Sequence, residues 1–332
     1  MTRVVRFHEC GAPEVLKIED LDVGEPGPGE LRVAIEAIGL NRAEAAFRSG
    51  RYIEQAKLPA RIGYEAAGVI KAIGSGVEGF SIGQPVCIIP EFSMNRYGVY
   101  GEEAIVPVSA VVQRPEGLST VEAAAIWMAY LTAYGALVDI CPLGRGDPVL
   151  ITAASSSVGL AAIQIANSVG AIPIAVTRTE AKREGLLEAG AAHVIVTESQ
   201  DLVEETQRIT GNRGARAAFD PIAGPGVTSL AAALRPQGTV ILYGNLSGLA
   251  HETVFPFGPA VGKGLSLRGY LVFEIIRDKD RLARADAFIR NGIKTGALKP
   301  KIAKVFKFEQ IVDAHRYLEG NQQLGKIVVT VP

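Results

Sequence analysis

The run Ala153, Ala154, Ser155, Ser156, Ser157, Val158, Gly159 is built from small residues. It follows an apolar stretch, PVLITA (148–153), that reads as a buried strand, and it opens VGLAAIQIANSVG (158–170), which reads as a helix ended by Gly170. A strand-to-helix turn of this kind can hold the pyrophosphate of a dinucleotide. Small side chains permit the tight turn and the close approach of phosphate, and backbone N–H groups at the helix start meet its charge. Against the spacing G-x-G-x-x-G the run supplies Ala154, Ser156 and Gly159, so two glycines are replaced. The serine hydroxyls add donors in return. The competing reading is a tight turn with no ligand.

Two cations stand where such a site would need them. The second predicted strand, AIPIAVT (171–177), ends at Thr177; Arg178 follows and Lys182 lies one turn on. A carboxylate here would select the ribose hydroxyls of NAD, whereas cations select the 2′-phosphate of NADP. Arg178 and Lys182 therefore point to NADPH. The competing reading is a solvated helix start, and Glu180 dilutes the positive charge.

Other chemistries find little support. Cys10, Cys87 and Cys141 are far apart, and so are His8, His193, His251 and His315, so no zinc site made of neighbouring ligands is expected. No Ser-His-Asp or paired-carboxylate constellation stands out. A net charge of −1 offers no electrostatic case for nucleic acid or an acidic membrane. No uninterrupted apolar run reaches the roughly 18–20 residues of a spanning helix. The N-terminus, MTRVVRFHECGAPEVL, lacks a secretory core, which makes a cytoplasmic protein the expectation. In FSMNRYGVYGEE, Tyr97 and Tyr100 are candidates for the wall of a substrate pocket, with Tyr130 and Phe47 as further aromatics; each could equally be core.

The elements that must position these residues fall into three stretches. Residues 1 to about 125 carry short alternations, LRVAIEAI (31–38) and AAGVIKAI (66–73), broken by GEPGPGE (24–30) and GSGVEGF (74–80), the pattern of antiparallel strands with tight turns. STVEAAAIWMAYLTAYGALVDI (119–140) has helical spacing with Ser119 or Thr120 as cap. From Asp147 strands and helices alternate through TVILYG (239–244), which implies a parallel sheet covered on both faces. A helix near 280–292, a strand near 301–308, a helix near 310–320 and the strand GKIVVTV (325–331) close the chain. The expected fold is α/β: a Rossmann doubly wound parallel sheet (126–268) inserted in a GroES-like β-rich catalytic domain (1–125 and 269–332).

The whole chain resembles the medium-chain dehydrogenase/reductase superfamily and, within it, the zinc-independent quinone oxidoreductase (zeta-crystallin-like) branch. The resemblance runs from RFHECGAPEVLKIED and LNRAEAAFRSGRY (40–52) through PARIGYEAAGVIKAIGSGVEGFSIGQPV (59–86), FDPIAG (219–224) and LYGNLSG (242–248) to GKIVV (325–329). The 59–86 segment is the most specific; it departs from the superfamily pattern at Gln84, usually Asp. Zinc-containing members carry metal ligands at the positions of Asn41, Tyr64 and Met128, none of which suits zinc, and the four-cysteine structural loop is missing. The resemblance implies that Asn41 and Tyr52 line the cleft near the nicotinamide, and that Thr132, Gly244, Asn245 and Lys326 sit on the cofactor side, with Tyr270 counted among them. It also implies a homodimer through the Rossmann sheet edge. Ser156 and Ser157 replace the branch's two glycines, and Ala46 replaces a second cleft tyrosine, which bears on substrate shape.

The expected chemistry is hydride transfer from NADPH to a small electrophilic acceptor. A quinone or an α,β-unsaturated carbonyl gains negative charge on oxygen as hydride arrives, so hydrogen-bond donors are required. Asn41 and Tyr52 are the candidate donors. Tyr64 is either a further donor or a packed core tyrosine. Three functions stay open: a quinone reductase, a double-bond reductase acting on enones, alkenals or enoyl thioesters, and a non-catalytic NADPH-binding protein.

Overall fold

The computed structural model describes residues 1–332. They form two compact units, Met1–Met128 with Pro300–Pro332, and Ala129–Lys299. The return to the first unit falls at 300 rather than 269. The helix Lys279–Lys294 belongs to the second unit, where Arg281 Nε donates to Asp139 Oδ2 (2.9 Å) and the Phe288 ring lies 5.2 Å from that of Tyr134.

The first unit opens with strands β1 (Thr2–Phe7), β2 (Lys17–Leu21), β3 (Glu30–Gly39), β4 (Ala60–Arg61), β5 (Glu65–Ile73), β6 (Pro85–Ile88), β7 (Glu103–Pro107) and β8 (Val111–Gln113). In β3 the residues Leu31, Val33, Ile35 and Ala37 are buried and Glu30, Arg32, Ala34 and Glu36 between them half-exposed, the period-two pattern of a sheet covered on one face. At its end Gly39 is required by space: a Cβ there would stand 1.9 Å from the Ala124 carbonyl oxygen. That close approach ends β3, and the short helix Arg42–Arg48 follows at once.

The second unit holds β9 (Pro148–Ile151), β10 (Ile172–Thr177), β11 (His193–Val196), β12 (Ala215–Asp220), β13 (Leu234–Leu242) and β14 (Ser266–Gly269). They form one wholly parallel sheet in the order β11-β10-β9-β12-β13-β14. Chain order reverses between β9 and β12, the doubly wound arrangement that leaves a ligand crevice at the carboxyl ends of the strands. The chain then returns through β15 (Ile302–Lys307) and β16 (Lys326–Thr330), a parallel pair that joins β3 in the sheet order β15-β16-β3-β5-β6-β8, with β7 also on β3. This is the GroES-like arrangement with an inserted Rossmann unit.

The expected helix at 119–140 starts with a capping box between Ser119 and Glu122. It then continues as Trp127–Tyr134 and widens to a π-helical turn, Gly135–Ile140. The cause is visible within the second unit. Tyr270 Oη donates to the Leu131 carbonyl (3.3 Å), and a Cβ on residue 135 would lie 2.1 Å from that hydroxyl, so only glycine admits the tyrosine. The stretch Thr120–Ile140 corrects one expectation, because by length and composition it is apolar enough to cross a membrane. Its charged residues, Glu122 and Asp139, stand near the two ends, and the polar threonine and tyrosines between them hid this from a count of uninterrupted apolar runs. With 83% of its apolar window buried inside the protein, it packs as a core helix.

Candidate active site

In the second unit the loop after β9 is a tight strand-to-helix turn. Ala153 adopts φ 44°, a left-handed conformation that turns the chain sharply. Ser156 is the N-cap of the helix Ser157–Ser168, its Oγ accepting from Gly159 N at 3.0 Å. A Cβ on Gly159 would meet the Ala154 carbonyl oxygen at 2.5 Å, so the one retained glycine answers to helix-on-strand packing. Ser156 thus replaces a glycine and stabilises the helix start. Ser157 and Val158 occupy the first turn, and Ala154 is buried beneath it.

The cations after β10 converge on this loop. Lys182 Nζ donates to Ser155 Oγ at 2.8 Å. Its pKa is lowered, first by burial and then by the positive charge of Arg178. Two like charges are thus held close enough to repel, one of them tied to the loop after β9. The Arg178 side chain is 79% exposed, with only a 3.8 Å contact to Glu198. Thr177 is buried at the strand end, and Gly244 and Asn245 form an exposed turn after β13. Thr132 is buried in the helix Trp127–Tyr134. These residues can hold the pyrophosphate and the adenosine phosphate of NADPH. Tyr270, expected beside the cofactor, is buried with its hydroxyl committed to Leu131.

In the first unit, Asn41, Glu44, Glu65 and Lys326 form one buried polar group. Lys326 Nζ donates to Asn41 Oδ1 (2.6 Å) and to Glu65 Oε2 (2.5 Å). Glu65 Oε1 accepts from Met128 N (2.9 Å). An ammonium only donates, so it fixes which end of the Asn41 amide is oxygen. Asn41 Nδ2 then faces inward, toward Gly39 O (3.1 Å), Glu65 Oε2 (3.3 Å) and Glu44 Oε1 (3.4 Å). Asn41 stands at the N-cap of the helix Arg42–Arg48 yet makes no capping bond, because its amide is used in this network. This corrects the expected role of Asn41 as a donor to substrate: its two N–H groups are already shared among three acceptors.

The remaining candidate donors are the tyrosines. The hydroxyls of Tyr52 and Tyr64 hydrogen-bond to each other. Burial pushes Tyr52 up to about 12 and raises Tyr64 further, so both phenols keep their protons at neutral pH. Tyr64 is fully buried and Tyr52 half-buried. Their rings belong to a row: Phe47 lies 6.3 Å from Tyr52, Tyr52 lies 6.2 Å from Tyr64, Tyr64 lies 5.6 Å from Phe92, and Phe92 lies 5.8 Å from Tyr97. Phe92, half-exposed beside Tyr64, was not singled out by sequence; a lone phenylalanine in a loop carries no spacing signal.

Of the other pocket candidates, Tyr97 ends this row, and Tyr100 and Tyr130 are not part of it. Tyr97 is partly exposed, with its hydroxyl donated to Glu30 Oε1 (2.6 Å). Tyr100 is buried with its ring 5.8 Å from that of His315, so it cannot form part of an accessible wall. Tyr130 is buried and donates to Gln164 Oε1 (2.7 Å), whose amide in turn ties down Lys299. Glu44 and Glu65 were also missed, because their role depends on Lys326, 261 positions from Glu65 in the chain.

Residues 27–116 match the model of the alcohol dehydrogenase GroES-like domain, and residues 157–289 that of the zinc-binding dehydrogenase. Human quinone oxidoreductase is 30% identical over 331 residues, covering 99% of this chain and 98% of that protein. A Burkholderia 2-haloacrylate reductase is 29% identical, covering 99% of both. The crystal structure of Escherichia coli quinone oxidoreductase complexed with NADPH superposes with a TM-score of 0.91 at 28% identity, covering 99% of both chains. The chain therefore belongs to the medium-chain dehydrogenase/reductase superfamily, a family of NAD(P)H-dependent oxidoreductases, and within it to the quinone oxidoreductase branch. The second family model is described by its zinc. At the matching positions this chain presents an amide, a phenol and a thioether, and no group of three His, Cys, Asp or Glu side chains is placed to hold a metal.

Proposed function

We propose that the protein is an NADPH-dependent, zinc-independent reductase that passes hydride to a quinone-type small acceptor. The observation that carries the cofactor choice is the Lys182–Ser155 hydrogen bond beside the exposed Arg178, which presents two cations at the end of β10. When bound, NADPH supplies the hydride. Tyr52, polarised by Tyr64, donates to the acceptor oxygen as negative charge builds there. Lys326 and Glu65 lock Asn41 and give this buried wall a fixed field. Half-exposed Tyr52 and Phe92 offer flat apolar faces to a planar acceptor.

A second reading, reduction of an activated carbon–carbon double bond, is favoured by the likeness to 2-haloacrylate reductase. It needs the same donors. The test is nicotinamide oxidation by the purified protein with NADPH and then NADH, offered an ortho- or para-quinone and, separately, a 2-alkenal or enone. NADPH-selective turnover faster with the quinone supports the first reading; faster turnover of the alkene replaces it with the second. NADPH binding without turnover of either supports a non-catalytic role.

We also propose that the protein works as a homodimer. The strand β14 is an edge strand with β13 as its one neighbour, and Phe255, Phe257 and Val261 are exposed close by in sequence. Light scattering after size exclusion reads the mass directly, and a monomer at working concentration refutes it.

A further inference from the structure

One buried cluster in the first unit is not used by the proposed reaction. Glu44 and Arg48 lie four residues apart on the helix Arg42–Arg48 and therefore share a face. Both side chains are fully buried. His315, on the helix Ile311–Glu319, is also fully buried, and its ring lies 5.8 Å from that of Tyr100. Tyr100 interacts electrostatically with both Glu44 and Arg48, and His315 with Arg48, so the four buried side chains lie near one another. Six of their buried polar atoms have no partner in the protein: Arg48 Nε and Nη1, Tyr100 Oη, His315 Nδ1 and Nε2, and Glu44 Oε2. A buried polar group left unpaired bears its full desolvation cost, and a native domain keeps few of them. Six in one place call for a shared ligand.

The donors and acceptors identify that ligand. Arg48 and Tyr100 offer protons, His315 offers one and accepts one, and Glu44 Oε2 accepts or donates according to its protonation. An anion is disfavoured, because Glu319 already neutralises Arg48 and Glu65 lies close. A metal cation is disfavoured by the guanidinium. Water, which donates and accepts equally, satisfies every member.

We propose that Glu44, Arg48, Tyr100 and His315 enclose a buried cluster of ordered water, through which Glu44 exchanges its proton with solvent. The outer end is Glu319, which is partly exposed and holds Arg48 Nη2. The inner end is Glu44, whose other oxygen accepts from Tyr64 N (3.1 Å) and faces Asn41. The groups near Glu44 are Lys326, Asn41, Tyr64, Tyr52 and Tyr100, with Arg48 one turn along its own helix and Glu65 sharing the Asn41 amide. Burial outweighs Lys326 and holds Glu44 largely protonated up to neutral pH, with a carboxyl near 7. The cluster thus joins the Asn41–Lys326 group to the surface by a route that no backbone opening is needed to complete.

The test reads the infrared carboxylic C=O band of the full-length protein near pH 5.5. A band lost in Glu44→Gln marks the Glu44 proton. On transfer to D2O the wild-type band should shift within the dead time of mixing. A shift that takes the minutes to hours of structural opening overturns the proposal, as does the absence of any band that Glu44→Gln removes. A high-resolution crystal structure should show at least two waters contacting Arg48 Nε, Tyr100 Oη or the His315 ring. Direct pairing of these side chains without water, or an anomalous bromide peak after a halide soak, overturns it. The double variant Tyr100→Phe, His315→Phe, where it folds, should slow the D2O shift at least tenfold. Since the wild-type measurements decide without that variant and none reads turnover, the outcome is independent of the proposed reductase activity.

Discussion

Stability of the first unit should carry an unusual dependence on the protonation of Glu44. The carboxyl is fully buried and its pKa rises from 4.5 to about 7, through burial first and against the pull of Lys326. A folded-state value above the unfolded one means that the folded state holds the proton more tightly. The associated stability is therefore complete below about pH 4.5, falls as pH rises, and is gone above about 7. At 1.36 kcal/mol per unit, the loss is about 3 kcal/mol. His315 works in the opposite direction. Burial, and then Arg48, lower it from 6.5 to about 3, so its stability is present above 6.5 and lost as pH falls toward 3. Between about 4.5 and 6.5 the two slopes cancel, and the wild-type curve alone will look flat there. Glu44→Gln keeps the neutral shape and removes the proton. The assay is urea unfolding from pH 4 to 8 for both proteins, followed by fluorescence of the single tryptophan, Trp127, which is fully buried in the first unit with Glu44. Relative to the variant, wild type should lose about 3 kcal/mol across that range. Parallel curves would refute the reasoning.

The other expectations follow from the same geometry. Arg178→Ala should raise the KM for NADPH by about one to two powers of ten and leave NADH little changed, as for a charged phosphate contact; steady-state kinetics with both cofactors decide, and an equal effect on both sinks the assignment. Relative to His315→Phe, wild type should lose about 5 kcal/mol of stability as pH falls from 6.5 to 3, measured by the same unfolding titration. Dialysis against a chelator should leave reductase activity intact, whereas loss restored by zinc would overturn the roles given to Asn41, Tyr64 and Met128.

Much of the architecture was legible because it depends on local rules. The alternation in β3, the small residues of 153–159 and the strand–helix repeats from Pro148 onward are patterns of neighbouring residues, and hydrophobic periodicity reports them directly. The cofactor loop belongs to the same class, since Ser156 caps a helix that begins one residue later. The boundary at 269 was misplaced because nothing local distinguishes a helix packed on one unit from a helix packed on the other. The contact of Arg281 with Asp139, 142 positions away, determines it.

The candidate site in the first unit obeyed different constraints. Sequence named Asn41, Tyr52, Tyr64 and Lys326, and types and resemblance were enough for that. It did not show that Lys326 turns the Asn41 amide inward, or that the Tyr52 and Tyr64 hydroxyls pair with each other. Hydrogen-bond direction depends on which partners arrive from distant strands, and each donor can serve only as many acceptors as it has protons. Glu44 and His315 were ordinary residues in the sequence. Full burial changed the cost of their charges, and burial is a property of the packed fold rather than of the chain.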